Sequence, residues 1–263
     1  MERDCMQDRL QQLLDEHDHL FGVICRDATV VQLELLALAG YHVVYLDLEH
    51  GSQSNAEAVQ LARTIIHLGM VPLVRIPELS RTHVQVLLDG GVEILTLPNV
   101  RTAQQAADFV QLGKYPPLGE RGLCSSSANF NYQLRDPEQE LPALNKATRL
   151  SVMIESDQGY EALDSILDVE GIDIVTVGAA DWGAASGLYG AAAKAQLGPK
   201  VEHVLTAAAK AGRMTSLGVF DSSNLDRYCD LGVRIFFVGV DVNLKRDVLA
   251  DTLDRFRNVA ENG

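Results

Sequence analysis

The chain has 263 residues, 47% of them hydrophobic and 22% charged, which is long enough to bury one sizeable core and predicts a single domain over residues 1–263. With 22 Lys+Arg against 36 Asp+Glu, its formal charge of −14 repels a nucleic-acid backbone or an anionic membrane surface and leaves small molecules as the expected partners. No apolar run approaches the roughly 20 residues of a membrane span.

The chain starts on the charged, helix-like segment MERDCMQDRLQQLLDEHDHL, which is unlike a signal peptide and predicts a cytoplasmic location. From there short β-branched runs alternate with longer amphipathic stretches. FGVIC (21–25) reads as a strand and VVQLELLALAG as a helix; HVVYLD (42–47) and SNAEAVQLARTIIHLG repeat the pair. Next come VPLVRI (71–76) with SRTHVQVLLDGG, and EILTL (93–97) with TAQQAADFVQLG. The second half gives LSVMIE (150–155) with DQGYEALDSILD, IDIVTVG (172–178) with PKVEHVLTAAAKAG, MTSLGV (214–219) with SSNLDRYCDLG, and RIFFVG (234–239). Several helical stretches end in glycine, the usual left-handed stop.

Eight strand-then-helix units in about 250 residues match a (β/α)8 TIM barrel. The rival, an open doubly wound sheet, would carry a Gly-rich phosphate turn after its first strand, and FGVICRDAT has none. One long break, residues 113–149, is rich in Pro, Ser and Gly and reads as a loop over the active site. Cys5, Cys25, Cys124 and Cys229 are far apart with no C-x-x-C pair, which fits reduced thiols.

In such a barrel, chemistry sits at the C-terminal strand ends. The second strand delivers Asp47, Glu49 and His50, the third Arg75, the fifth Glu155, and the sixth runs through Gly178 to Asp181. Each has a structural alternative: a salt bridge for Arg75, a helix cap for Glu155, a turn for Asp181, a loop histidine for His50. At one mouth, carboxylates with an arginine and a histidine make an oxygen-rich site for a hard divalent cation such as Mg²⁺ or Mn²⁺, and a lone histidine without cysteine argues against structural zinc. A Schiff-base route needs a lysine at a strand end. Lys114, Lys146, Lys194, Lys200, Lys210 and Lys245 end none of the predicted strands.

DLEHG, VRIPE, LLDGGVEILTLPNV, YPPLGERG, MIES and LDVEGIDIVTVGAADWG together resemble, in order and spacing, the HpcH/HpaI family of metal-dependent class II pyruvate aldolases, from about Gly22 to the last helix. The resemblance implies a lyase that cleaves or forms 4-hydroxy-2-oxo acids, giving pyruvate and an aldehyde. It implies that Glu155 and Asp181 bind a divalent metal (Mg²⁺, Mn²⁺ or Co²⁺) and that Arg75 contacts the keto oxygen. By the same resemblance His50, oriented by Asp47 and supported by Glu49, moves the proton, and backbone N–H groups at Ala180 and Asp181 hold the pyruvate carboxylate. It further implies a homo-oligomer, a hexamer with swapped C-terminal helices, in which Asp89 reaches the neighbouring subunit's site; the segment VNLKRDVLADTLDRFRNVA is apolar at helical spacing.

The chain departs from the family pattern at Met153, where glutamine is common, at Ala179 in place of the proline of GPAD, and at Cys124 in place of the second glycine of R-G-x-G. These changes alter the pocket wall and leave the metal carboxylates, Arg75 and His50 intact. Two other readings stay open from sequence: an oxaloacetate-decarboxylating enzyme that forms a C–C bond from the same enolate, and a non-catalytic barrel that binds a keto acid.

Overall fold

The computed structural model describes residues 8–262; Cys5 and the first seven positions of the charged N-terminal segment lie outside them. Asp8 caps α1 (Arg9–Glu16) through its side chain, and β1 (Leu20–Cys25) follows. Then come α2 (Val30–Leu38), β2 (Val43–Asp47), α3 (Asn55–His67), β3 (Val71–Arg75), α4 (Arg81–Asp89), β4 (Ile94–Leu97) and α5 (Ala103–Gly113). A 3₁₀ turn, Ala128–Phe130, and α6 (Pro137–Ala147) lead to β5 (Arg149–Ile154). The rest is α7 (Asp157–Glu161), α8 (Leu163–Leu167), β6 (Ile174–Val177), α9 (Ala179–Ala185), α10 (Gly190–Lys210), β7 (Met214–Gly218), α11 (Leu225–Asp230), β8 (Ile235–Val240) and α12 (Asp241–Asn262).

The strands pair in sequence order, all parallel, and β8 returns to β1, so the sheet is a closed (β/α)8 barrel as the alternation predicts. All eight predicted strands are present, with no end displaced by more than two residues. Local chemistry sets the helix starts. Ser54 and Glu57 form a reciprocal capping box on α3, and Thr29, Ser80 and Thr102 each accept a backbone N–H at the start of α2, α4 and α5.

The core has two layers. Inside the barrel, Leu20, Val43, Tyr45, Val71, Leu73, Ile94, Met153, Ile174, Ile235 and Phe237 pack together, and Leu10 of α1 closes the floor beneath them. Outside, the alternate strand residues meet the helices in one larger cluster that includes Trp182. Strand burial is therefore continuous, as in β2, β3 and β5, because both faces are covered.

The 113–149 segment corrects the expectation of a loop over the active site. It leaves the C-terminal end of α5 and enters the start of β5, so both its ends lie at the floor of the barrel, opposite the mouth. Lys114, fully buried there, donates to the carbonyls of Asn145 and Thr148 and pairs with Asp173 just before β6. Tyr115, Phe130 and Leu144 give the segment a small core of its own, which explains its length.

Other differences are local. The single helix expected over DQGYEALDSILD is broken at Ala162 into α7 and α8, and the stretch before Pro199 continues α10 back to Gly190. No helix among the described residues is long and apolar enough to cross a membrane.

Candidate active site

The mouth is organised around a buried arginine. Arg75, the last residue of β3, sits in register with Asp47, the last of β2, so both side chains point into the barrel at one level. Arg75 Nε and Nη2 donate to Asp47 Oδ1 and Oδ2 at 2.9 and 2.7 Å, a two-pronged bond between side chains that are 6% and 0% exposed. Asp47 Oδ1 also accepts the backbone N–H groups of Glu49 and His50 at 3.2 and 3.3 Å, and Arg26 approaches Oδ2 at 3.6 Å. Burial pushes the Asp47 carboxyl up, but the Arg75 bonds and charge and the His50 N–H outweigh it and hold it below the usual carboxylate value.

The third guanidinium nitrogen faces the opening. Arg75 Nη1 lies 2.9 Å from Glu49 Oε2, 3.9 Å from Asp181 Oδ2 and 3.9 Å from the Met153 sulfur. The Glu49 contact is an ion pair whose angle leaves Oε2 without a hydrogen bond, and burial raises the Glu49 pKa.

Glu155 follows β5 and Asp181 lies in the first turn of α9. Glu155 Oε1 accepts the N–H of Asn99 at 2.7 Å, and Asn99 takes a left-handed φ of 50° after β4. Its Oε2 is buried and unpartnered among the described residues. Burial, with Asp181 and Glu49 as neighbours, pushes Glu155 up to about 7 against the Asn99 N–H and the Arg75 charge. Gly178 makes this possible: a Cβ there would stand 2.2 Å from Glu155 Oε2. In the GAAD stretch Gly178 is the N-cap and Ala179 to Asp181 open α9; Trp182 makes the first α9 bond back to Gly178, so the N–H groups of Ala180 and Asp181 have no acceptor within the helix.

Of the residues read from sequence, Asp47, Glu49, Arg75, Glu155, Asp181 and the backbone at Ala180 meet at one mouth. His50 stands exposed at the rim; Asp47 accepts from its backbone N–H while giving its carboxylate to Arg75, so the contact between the two residues runs through the backbone and not the imidazole. Asp89 is absent from this mouth. It ends α4 at the floor, where it is half-buried and accepts from Arg121 Nη2 at 2.8 Å and Gln85 Nε2 at 2.6 Å. Sequence reasoning missed Asn99, Arg26 and Tyr45; only Asn99, a residue that tolerates the left-handed region, carried a signal.

Two carboxylates fit a hard divalent cation. Glu155 offers an unpartnered buried oxygen whose charge needs neutralising, with Asp181 beside it. Among the described residues no group of three or more His, Cys, Asp or Glu converges, so these two carboxylates are the side chains that would hold such a cation.

The model of the family described as HpcH/HpaI aldolase/citrate lyase matches residues 26–247. The chain belongs to this family. It is 31% identical over 244 residues to the hydroxypyruvate/pyruvate aldolase of Roseovarius nubinhibens, covering 91% of this chain and 93% of that one. It is 30% identical over 246 residues to the 2-keto-3-deoxy-L-rhamnonate aldolase of Salmonella gallinarum, covering 94% and 92%. The crystal structure of the HpcH/HpaI aldolase from Desulfitobacterium hafniense superposes with a TM-score of 0.88 at 27% identity, covering 94% of this chain and 96% of that one. As a member of this family the protein is a carbon–carbon lyase, and membership implies metal dependence.

Proposed function

We propose that the protein is a divalent-metal-dependent aldolase that cleaves and forms 4-hydroxy-2-oxo acids, with pyruvate as the keto product and an aldehyde as the other. The observation that carries this is the pairing of a clamped, buried Arg75 with an unpartnered Glu155 oxygen beside Asp181. Glu155 and Asp181 hold the cation, which, when bound, supplies Lewis-acid stabilisation of negative charge at the keto oxygen. Mg²⁺, Mn²⁺ and Co²⁺ suit this donor set. The family's named relatives include aldolases for hydroxypyruvate/pyruvate and for 2-keto-3-deoxy-L-rhamnonate, which supports a 2-oxo acid as the common half of the substrate.

The side chains divide the work. Arg75 presents Nη1, which it shares with Glu49, toward the keto oxygen, and its other two nitrogens are fixed by Asp47, so the guanidinium is oriented before charge develops. The free N–H groups at Ala180 and Asp181 hold the substrate carboxylate. His50, exposed at the rim, takes the proton from the C4 hydroxyl. The C3–C4 bond then breaks, its electron pair passes to the keto group as an enolate, the aldehyde leaves, and C3 gains a proton to give pyruvate. Asp47 acts on His50 through the backbone of residue 50, holding the loop that carries the ring.

The chain acts as one cytoplasmic domain within a homo-oligomer, most simply a hexamer with α12 exchanged between subunits. Free Cys25, Cys124 and Cys229 support a reducing compartment. Val248, Leu249, Phe256 and Val259 form an exposed apolar stripe on α12, which supports its packing on a neighbour. Asp89, held by Arg121 at the floor, then faces the neighbour's mouth rather than its own.

The test is pyruvate release from short, long and sugar-derived 4-hydroxy-2-oxo acids after EDTA treatment and again after adding Mg²⁺, Mn²⁺ or Co²⁺. Release that depends on metal and resists borohydride supports the reading. Covalent trapping on a lysine overturns it, and pyruvate from oxaloacetate alone points to the decarboxylating alternative.

A further inference from the structure

Beneath the mouth the barrel interior holds hydroxyl groups that packing does not require. Tyr45 on β2 is 3% exposed; its ring lies 5.0 Å from that of Phe237, and Arg75 Cζ stands 5.8 Å from its centroid. Phenylalanine would fill this space equally well. Thr96 on β4, 1% exposed, is in register with Arg75 on one side and Ser151 on the other, and valine would match its shape. Neither hydroxyl has a hydrogen-bond partner among the described residues.

Their neighbours show that such groups are otherwise satisfied inside this barrel. Ser151 Oγ meets Thr176 Oγ1 at 2.9 Å, and Thr176 Oγ1 meets Ser216 Oγ at 2.6 Å, a belt across β5, β6 and β7 that stops short of Thr96. Tyr45 lies two residues before Asp47 on the same inward face of β2, and Arg75 Cζ stands 5.8 Å from its ring, which places the phenol beside the clamped pair, where it also feels the charges of Glu155 and Glu49. Burial raises its pKa, so the phenol stays a neutral donor at every working pH. Tyr45 Oη and Thr96 Oγ1, together with the carboxylate oxygens Glu155 Oε2 and Glu49 Oε2, thus lack hydrogen-bond partners among the described residues; the Tyr45 ring and Thr96 both flank Arg75, and a water needs two to four polar partners to be held in place.

We propose that Tyr45 is a positioning residue: its hydroxyl and that of Thr96 hold one ordered water under Arg75 and Glu155, and this water fixes the direction in which Glu155 Oε2 faces the cation. This rests on the proposed role of Glu155 as a metal ligand. Groups that orient ligands from behind typically change metal affinity or activity by 10–100-fold when removed. Tyr45→Phe and Thr96→Val remove one oxygen each at nearly constant volume, and near-UV circular dichroism checks that both fold.

The readouts are Mn²⁺ dissociation constants by EPR on the metal-free protein, and kcat and KM for pyruvate release. Tyr45→Phe is expected to weaken Mn²⁺ binding about tenfold and to lower kcat with little change in KM. The double variant should be no worse than Tyr45→Phe, because one shared water is lost only once. Mn²⁺ affinity within about twofold of wild type in Tyr45→Phe, or additive losses, overturns the proposal. A wild type that releases no pyruvate yet binds Mn²⁺, with weaker binding in Tyr45→Phe, sinks the proposed function and leaves this inference standing; a wild type without Mn²⁺ binding sinks both.

Discussion

Asp47→Asn keeps the volume of the side chain and removes the charge that clamps Arg75. Both side chains are buried, 0% and 6% exposed, and joined by two bonds of 2.9 and 2.7 Å. Breaking a buried pair by changing one partner costs about 3–5 kcal/mol when nothing replaces it. Here Glu49 at 2.9 Å and Asp181 at 3.9 Å still face Arg75, and the asparagine oxygen accepts one of the two bonds. The expected loss is therefore about 2–3 kcal/mol. For a chain of this size each kcal/mol moves Tm by about 2–4 °C, so metal-free Asp47→Asn should melt about 4–12 °C below wild type at pH 7. Thermal melts at one fixed scan rate, followed by near-UV circular dichroism, measure it. The sign of the pH dependence follows from the depressed Asp47 pKa. Its contribution is complete above the ordinary aspartate value near 4 and is lost as pH falls through the lower folded value, so the gap between the two proteins should close in acid. Equal melting temperatures at pH 7, or a gap that widens on acidification, would refute the reasoning.

Glu93 is 1% exposed at the floor, and burial pushes it up to about 8 although Arg9 lies 3.5 Å away. A raised folded pKa means stability that is full below about 4.5 and lost as pH rises to about 8, so Glu93→Gln should match wild type at pH 4 and exceed it by roughly 2–4 kcal/mol at pH 9 in urea titrations. A variant less stable than wild type at pH 9 would reverse this argument. Asp89→Asn should lower kcat at least about tenfold while retaining the fold by circular dichroism, since the amide still accepts from Arg121, whose side chain is 1% exposed; unchanged turnover returns Asp89 to a purely structural role. Introducing Leu249→Glu with Phe256→Glu, residues 70% and 73% exposed on α12, should reduce the assembly's mass by light scattering, and an unchanged mass would sink the swapped-helix reading.

Much of the barrel was legible because its signals are local. Capping pairs such as Ser54 with Glu57 and the alternation of β-branched runs with amphipathic ones act over a few residues, and so they survive in the bare sequence. The one misplaced feature, the 113–149 segment, was legible too: it follows a helix and precedes a strand, and such a connection lies at the floor of a barrel whatever its length. The short helix α9 was not legible, because a run of glycine and alanine gives no amphipathic period, and its seven residues gain their stability from Trp182 packing into the outer core.

The sequence by itself determined the barrel, its order of elements, and the polar residues at or just beyond the ends of β2, β3, β5 and β6, since these depend on periodicity along the chain. Tertiary structure decided how those residues divide their bonds. Asp47 and Arg75 are 28 positions apart, and only the register of β2 on β3 commits the carboxylate to the guanidinium, so that it meets His50 through the backbone N–H. Asn99 and Glu155 are 56 positions apart, and only a left-handed turn after β4 fixes one carboxylate oxygen and frees the other. Tyr45 reads in the chain as one more apolar strand residue; its hydroxyl acquires a role only because closure of the sheet turns it inward under four charged groups. A hydrogen bond depends on distances of a few tenths of an ångström between residues far apart in sequence, and closure of the barrel sets those distances.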